Sequence, residues 1–334
     1  MSIRAYAAAG PKSELSPREI EPAELEPHEI EVEVACVGLC HSDLHLIDDA
    51  WGTSRYPLVP GHEIVGRVTR CDPSVSSLRL GQRVGVGWQR SACLRCRFCL
   101  RGQENLCSEQ TATCGQRPGG FADRVRVDGR FAFPIPDGLS SPLAAPLLCG
   151  GVTVFSPLQR YQVGAGSTVG VIGVGGLGHL TILIAKAMGA EVVAFTSSPG
   201  KRDELLAAGA SAVADSTDPR EIRKHLGRLD LVLSTVHVRL DWITYLQTLR
   251  PGGTLCFLGA FPGLLQIPPA VLLEGQRSIT GSTIGGRATM LDLLDLAARH
   301  HITPQVQVLP LEQVNQAIGM LRRNEARYRI VLTP

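Results

Sequence analysis

Neither sign of charge dominates this sequence. Its 33 Lys and Arg stand against 31 Asp and Glu, a net charge of +2, too balanced for a polyanion-binding surface, so nucleic acid is not an expected partner. Long apolar runs are missing as well. The most apolar stretch, Thr168 to Ala185, is broken by five glycines and by His179, and reads as a buried strand entering a helix rather than as a membrane span. Met1-Ser-Ile-Arg-Ala-Tyr6 contains no charged-then-apolar leader, which makes a reducing cytoplasm the expected compartment. Repeats and low-complexity tracts are absent.

What is present begins with ten cysteines. Four fall in one short loop, Cys93-Leu-Arg-Cys96-Arg-Phe-Cys99 and then Cys107. That spacing lets four thiolates close a tetrahedron around zinc, and the competing reading is a pair of disulfides. Cys40 and Cys149 are far apart, with Gly61-His62-Glu63 between them. Together Cys40, His62 and Cys149 offer three ligands and leave a fourth position open, the pattern of a catalytic metal site. Taken one at a time, each is equally a buried thiol or a hydrogen-bonded core histidine. Cys36, Cys71, Cys114 and Cys256 have no ligand-like neighbours in sequence and read as packing residues.

A chain of 334 residues suggests two domains, and its 36 glycines exceed the usual share of about 7%, which implies many tight turns. The first third is β-rich: Glu29-Ile-Glu-Val-Glu-Val-Ala35 alternates with period two, as does Phe121-Ala-Asp-Arg-Val-Arg-Val127, and Pro57, Pro60, Gly61, Gly66 and Gly81 punctuate the interval. An antiparallel or barrel-like domain is expected there. Beyond about Leu147 the pattern changes. Expected strands at 167–172, 191–195, 211–214 and 229–233 alternate with helices opening at His179, Lys201 and Arg220, which builds a doubly wound parallel sheet. A further amphipathic helix is expected over 289–300, and the last strand, Tyr328-Arg-Ile-Val-Leu332, returns to the first domain. Gly173-Val-Gly175-Gly176-Leu177-Gly178 follows a strand and opens a helix, the context in which such a turn cradles a dinucleotide pyrophosphate at a helix N-terminus.

Taken end to end, the chain resembles the zinc-dependent medium-chain alcohol dehydrogenases of the cinnamyl alcohol dehydrogenase type, including bacterial broad-range aldehyde reductases. The landmarks are Gly38-Leu-Cys-His-Ser-Asp-Leu-His45, Tyr56-Pro-Leu-Val-Pro-Gly-His-Glu63, the four-cysteine loop, Pro146-Leu-Leu-Cys-Gly-Gly-Val-Thr153, the glycine turn and Gly281-Ser-Thr-Ile-Gly-Gly286. The resemblance implies a GroES-like catalytic domain over 1–147 and 288–334 and a Rossmann NADP-binding domain over 148–287. It implies zinc at Cys40, His62 and Cys149, with Glu63 as a possible alternate ligand, and a second zinc at Cys93, Cys96, Cys99 and Cys107. It also assigns Asp43 to orienting His62, Ser42 to taking the substrate proton, His45 to the outer relay, and His41 and Thr153 to cofactor contacts. An active site between the domains and a homodimer joined near 278–284 follow from the same source.

Three departures stand out. The stretch from Cys107 to Gly119 is short, the relay hydroxyl is Ser where Thr is common, and only Trp51 and Trp88 suggest themselves for the substrate wall. NAD-binding turns place a carboxylate about 20 residues beyond the glycines. Here Ala194-Phe-Thr-Ser-Ser-Pro-Gly-Lys-Arg202 has none; Ser197, Ser198, Lys201 and Arg202 suit a 2′-phosphate instead. The expectation is therefore an NADP-dependent alcohol dehydrogenase or aldehyde reductase, with aryl or medium-chain aldehydes as substrates. The competing readings are an NAD-dependent polyol or secondary-alcohol dehydrogenase of the same fold, and a non-enzymatic zinc- and dinucleotide-binding protein.

Overall fold

The computed structural model describes residues 2–334, and the chain divides into two compact units, Met1–Val152 with Gly285–Pro334, and Thr153–Ile284. These boundaries fall a few residues from the expected 147/148 and 287/288.

The first unit opens with the hairpin β1 (Ile3–Ala8) and β2 (Leu15–Ile20), followed by β3 (Glu29–Leu39), α1 (His41–Ile47), β4 (Glu63–Cys71) and β5 (Arg83–Val86). A short ladder of β6 (Gln89–Ser91) and β7 (Thr111–Ala112) brackets the four-cysteine lobe; β8 (Arg124–Asp128), β9 (Ala132–Pro134) and α2 (Ser141–Ala144) follow, and α3 (Gly150–Arg160) leads out. The alternation in β3 predicts one wet face. In fact Glu29 and Glu31 are buried, because β8 pairs across them and two arginines neutralise them: Arg90 meets Glu29, and Arg126 binds Glu31 through Nε and Nη2 at 2.9 and 2.7 Å. A buried carboxylate is tolerable only when paired in this way.

The second unit alternates strictly. β10 (Thr168–Ile172), α4 (Gly176–Ala187), β11 (Glu191–Thr196), α5 (Arg202–Ala208), β12 (Ala212–Asp215), α6 (Pro219–Arg223), β13 (Leu229–Ser234), α7 (Trp242–Thr248), β14 (Leu249–Phe257), α8 (Pro269–Leu273) and β15 (Ser278–Gly281) form it. The strands pair in the order β12-β11-β10-β13-β14-β15, and each pairing is parallel. Helices cover the sheet, so β10 and β11 read as near-continuous Val, Ile and Ala. The helices are shorter than the sequence suggests: α5 starts at Arg202 after a 3-10 turn at Pro199–Lys201, and α6 ends at Arg223. Among the described residues, no single helix is long and apolar enough to cross a membrane.

The chain then returns to the first unit with α9 (Arg287–Arg299), β16 (Val306–Pro310), α10 (Val314–Arg322) and β17 (Arg329–Thr333). β16 is not apparent in the sequence. The first unit's main sheet runs β16-β17-β3-β4-β5-β9, with β8 also on β3, so β17 lies inside the sheet between β16 and β3.

Candidate active site

Strand register brings the first cluster together. β3 runs antiparallel to β4 with Gly38 opposite Glu63, so the residues just past those strand ends, Cys40 and His62, become neighbours. The approach is tight at both points: a Cβ on Gly38 would fall 2.0 Å from Glu63 Oε2, and Gly61, at φ +97, would strike Phe121 at 2.7 Å. Only glycine meets both demands. Cys149 arrives on a 3-10 segment, Ala145–Leu148, that packs on β3 and β4. As a result one donor atom from each of Cys40, His62, Glu63 and Cys149 lies within 4.8 Å of the others, with His62 Nε2 3.3 Å from Cys149 Sγ.

Asp43 holds this cluster from behind. Its carboxylate is fully buried and accepts from Cys40 N at 2.9 Å, Gly61 N at 2.9 Å and His62 Nδ1 at 3.0 Å. The Cys40 bond doubles as the N-terminal cap of α1. With Nδ1 committed to Asp43, Nε2 is the nitrogen left to face the thiols. A hydrogen bond between them holds the Cys40 thiol well below its usual range and Cys149 correspondingly above it. Burial works to lower His62, but the Asp43 charge and the neighbouring Cys149 outweigh it and keep the imidazole well above its ordinary value. Metal binding at these groups would therefore release protons.

Glu63 sits beside the cluster, fully buried and raised to about 7, chiefly by burial, with Arg329 opposing. Arg329 reaches it from β17, where Ile330 pairs with Leu39. Glu63 Oε2 and Arg329 Nε have no hydrogen-bond partner, so one carboxylate oxygen remains uncommitted next to the thiols. This arginine escaped the sequence reading; its signal is one charge inside the otherwise apolar strand Tyr328-Arg-Ile-Val-Leu332. Cys114 packs in the core, as the sequence reading expects; its thiol also lies with Asp43 and His62 in one group within 4.8 Å, a neighbourhood the sequence does not show.

Helix α1 carries the remaining predicted residues. His41 is exposed, and Ser42 and His45 are half-buried. The C-terminal end of α1 is fixed by Tyr56 Oη donating to Leu46 and Ile47 carbonyls at 3.1 and 2.8 Å, and by a bidentate Arg322 to Asp48 pair at 2.7 and 2.6 Å. Trp88 stands edge-on to His62 with centroids 4.9 Å apart, Trp51 is edge-on to Trp88 at 5.9 Å, and Trp51 tilts over His45 at 5.2 Å. Trp88 thus borders the cluster through His62, whereas Trp51, 47% exposed, packs on Trp88 and His45.

The four-cysteine lobe forms a separate group with donor atoms within 4.8 Å. Cys107 Sγ is 3.5 Å and Cys99 Sγ 3.9 Å from Cys93 Sγ. Those separations match the edge of a zinc tetrahedron, about 3.8 Å for Zn–S bonds of about 2.3 Å, and not the 2.05 Å or so of a disulfide. Backbone N–H groups in the Cys96–Cys99 turn bring Cys96 down to about 7, which favours the thiolate that a metal requires.

In the second unit the glycine turn is built for close approach. Gly173 lies at φ +84, and a Cβ on Gly178 would sit 2.1 Å from Gly173 O, whereas Gly175 faces open space. Gly176 and Leu177 begin the 12-residue α4, whose first N–H groups have no partner within the helix. Beyond β11, Ser197 is exposed and Ser198 half-buried. Lys201 Nζ donates to Val174 O at 3.1 Å, inside the glycine turn, while Arg202 Nη1 donates to Val213 O at 2.8 Å. Of the two cations, Lys201 is thus the one placed at the turn. Thr153 lies in the first turn of α3.

Comparison with known proteins agrees with both halves. Residues 26–137 match the alcohol dehydrogenase GroES-like domain, and residues 176–299 match the zinc-binding dehydrogenase domain. An aldehyde reductase, AdhA, of Synechocystis is 44% identical over 331 residues, 99% of this chain and 98% of that protein. An NADP-dependent alcohol dehydrogenase C of Mycolicibacterium smegmatis is 37% identical over 99% of this chain and 97% of its own. The solved structure of a cinnamyl alcohol dehydrogenase from Sorghum bicolor superposes with a TM-score of 0.95 at 35% identity, covering 100% of this chain and 98% of that one.

Proposed function

Since the chain belongs to the zinc-dependent medium-chain alcohol dehydrogenases of the cinnamyl alcohol dehydrogenase type, we propose that it works as an NADPH-dependent aldehyde reductase, reversible with the primary alcohol. The observation that carries this reading is the convergence of Cys40, His62 and Cys149, with Asp43 locked behind the histidine. Two thiolates, one imidazole and a spare carboxylate oxygen suit zinc with an open position. When bound, zinc supplies polarisation of a carbonyl oxygen and the nicotinamide supplies hydride. The residues do the rest. Cys40, His62 and Cys149 hold the metal, and Glu63 offers the alternate oxygen. Ser42 delivers the proton that completes the alcohol, and His45 connects it to solvent. His41 and Thr153 contact the cofactor, whose pyrophosphate lies on the backbone of Gly173, Gly175, Gly176, Leu177 and Gly178. Cys93, Cys96, Cys99 and Cys107 hold a second, structural zinc. Trp51 and Trp88 favour flat aryl or conjugated aldehydes, through stacking on a pocket of low polarity. The edge position of β15, preceded five residues earlier by Leu273, 76% exposed, supports a homodimer joined along that strand.

For the relay, Ser42→Ala lowers alcohol oxidation by roughly 10²-fold, at the low end for a lost acid–base path, and alters the pH profile of kcat. An unchanged rate and profile would make Ser42 a bystander. The NADP preference rests on Ser197, Ser198, Lys201 and Arg202 and on the missing carboxylate, and the mycobacterial relative's NADP dependence supports it. A panel of aldehydes assayed with NADPH and NADH tests it directly. Lys201→Ala should raise KM for NADPH roughly tenfold to a hundredfold, the loss of one charge-assisted hydrogen bond, with little change for NADH. A wild type that prefers NADH would favour the polyol or secondary-alcohol reading, and no oxidation of either cofactor by the zinc-loaded enzyme would favour a binding protein.

A further inference from the structure

The four-cysteine lobe does not hang free of the first unit. Its 3-10 turn Glu104–Leu106 presents Glu104, only 4% exposed, to the first turn of α9. Glu104 Oε2 accepts from Arg287 N at 3.0 Å, and Oε1 lies 3.8 Å from Arg287 Nη1. Arg287 in turn donates from Nε to Arg130 O at 2.7 Å and lies over the Phe131 ring at 5.5 Å. The contact is close at backbone level, since a Cβ on Gly286 would sit 1.9 Å from Gly102 O. Glu104 is therefore the anionic cap of a 13-residue helix whose N-cap residue, Gly286, has no side chain with which to cap it.

The buried face of α9 reaches the other cluster. Met290, Leu293, Leu294 and Ala297 are all buried, and α9 packs against Ala145–Leu148, the segment that ends at Cys149. A Cβ on Gly151 would fall 3.1 Å from Leu293 Cδ2, and one on Gly87 would fall 2.5 Å from Leu148 O and 3.3 Å from Met290 Cε, so Leu293 lies against the backbone just past Cys149 and Met290 borders the Gly87 backbone that approaches Leu148. Cys149 itself has little local restraint: it occupies an irregular position, φ −128 and ψ −71, between the 3-10 turn and α3.

We propose that Glu104 is a positioning residue for Cys149: it fastens the four-cysteine lobe to α9, and α9 fixes the 145–151 segment that presents the Cys149 thiolate. The two metal seats are thereby coupled through one helix, all within the first unit. This rests on the reading of Cys40, His62 and Cys149 as a metal seat. Outer partners of metal ligands commonly set affinity within 10- to 100-fold, and an indirect one belongs at the lower end.

The test uses the zinc-loaded enzyme and its cobalt-exchanged form, with a colorimetric chelator reporting metal release. Glu104→Ala should release the metal of the Cys40 seat roughly tenfold faster than wild type and shift the cobalt visible spectrum, while the four-cysteine metal stays bound. Glu104→Gln, whose amide oxygen still accepts from Arg287 N, should return most of the way to wild-type release. Gly286→Ala, whose Cβ would fall 1.9 Å from Gly102 O and 2.7 Å from Glu104 Oε2 and so force the lobe away from α9 with the carboxylate's charge retained, should reproduce the Ala effect and carries the test if Glu104→Ala does not fold. Wild-type release rates and spectra in the folded variants overturn the coupling. A wild-type enzyme that binds no metal beyond the four-cysteine site overturns the underlying seat instead.

Discussion

Cys40→Ser reduces aldehyde turnover by about 10⁴-fold or more, and lowers bound zinc from two to one per chain, while leaving the fold in place. Serine keeps the shape of the side chain and the backbone N–H that Asp43 accepts, so the α1 cap survives. What changes is the ligand: a neutral hydroxyl cannot replace the thiolate that Cys149 helps to stabilise. Losing Lewis-acid polarisation removes several kcal/mol of transition-state stabilisation, and each 1.4 kcal/mol or so is tenfold in rate. Metal analysis, steady-state assay and thermal denaturation measured on one preparation check it. Full activity in a preparation with a single zinc per chain would sink the assignment.

Asp43→Ala should cost about 3–5 kcal/mol of stability as well as most of the activity. Its fully buried carboxylate accepts from Cys40 N, Gly61 N and His62 Nδ1. Removing it strands three donors, each costing about 1–3 kcal/mol, with some relaxation expected around the smaller side chain. Asp43→Asn separates the two effects. The amide oxygen can still accept from Gly61 and His62, but its NH₂ then opposes Cys40 N, so stability returns in part while metal affinity stays about tenfold or more below wild type. Denaturant midpoints for both variants decide the matter, and an Ala variant with the wild-type midpoint would remove Asp43 from its supporting role.

Much of this site is legible in the linear sequence because its chemistry is local. Cys93, Cys96, Cys99 and Cys107 announce themselves by spacing alone, and the glycine turn by its place between strand and helix. Asp43 is three residues past Cys40, a spacing that α1 makes into a cap. Arg329 and the neighbourhood of Cys114 were not legible. Arg329 meets Glu63 only because β17 inserts beside β3, a pairing no local pattern encodes, and Cys114 reaches His62 only because a short loop folds back. Glu29 and Glu31 mislead for a related reason: alternation reports how a strand could be half-exposed, and does not report that β8 and two arginines will cover the charged face.

The position of β17 also sets an order of events during synthesis. Residues 153–284 form an uninterrupted folding segment, so the parallel sheet can assemble while the ribosome is still at work. The other sheet cannot be completed so early, because β3 also pairs with β17, which is made only after the whole second unit. Until β17 is made, Glu63 stays without the Arg329 guanidinium, and the end of β3 that delivers Cys40 lacks its β17 neighbour. Closure of the Cys40, His62, Glu63 and Cys149 cluster by Arg329 therefore follows synthesis of β17, and before it the unpaired edge of β3 is open to edge-to-edge association.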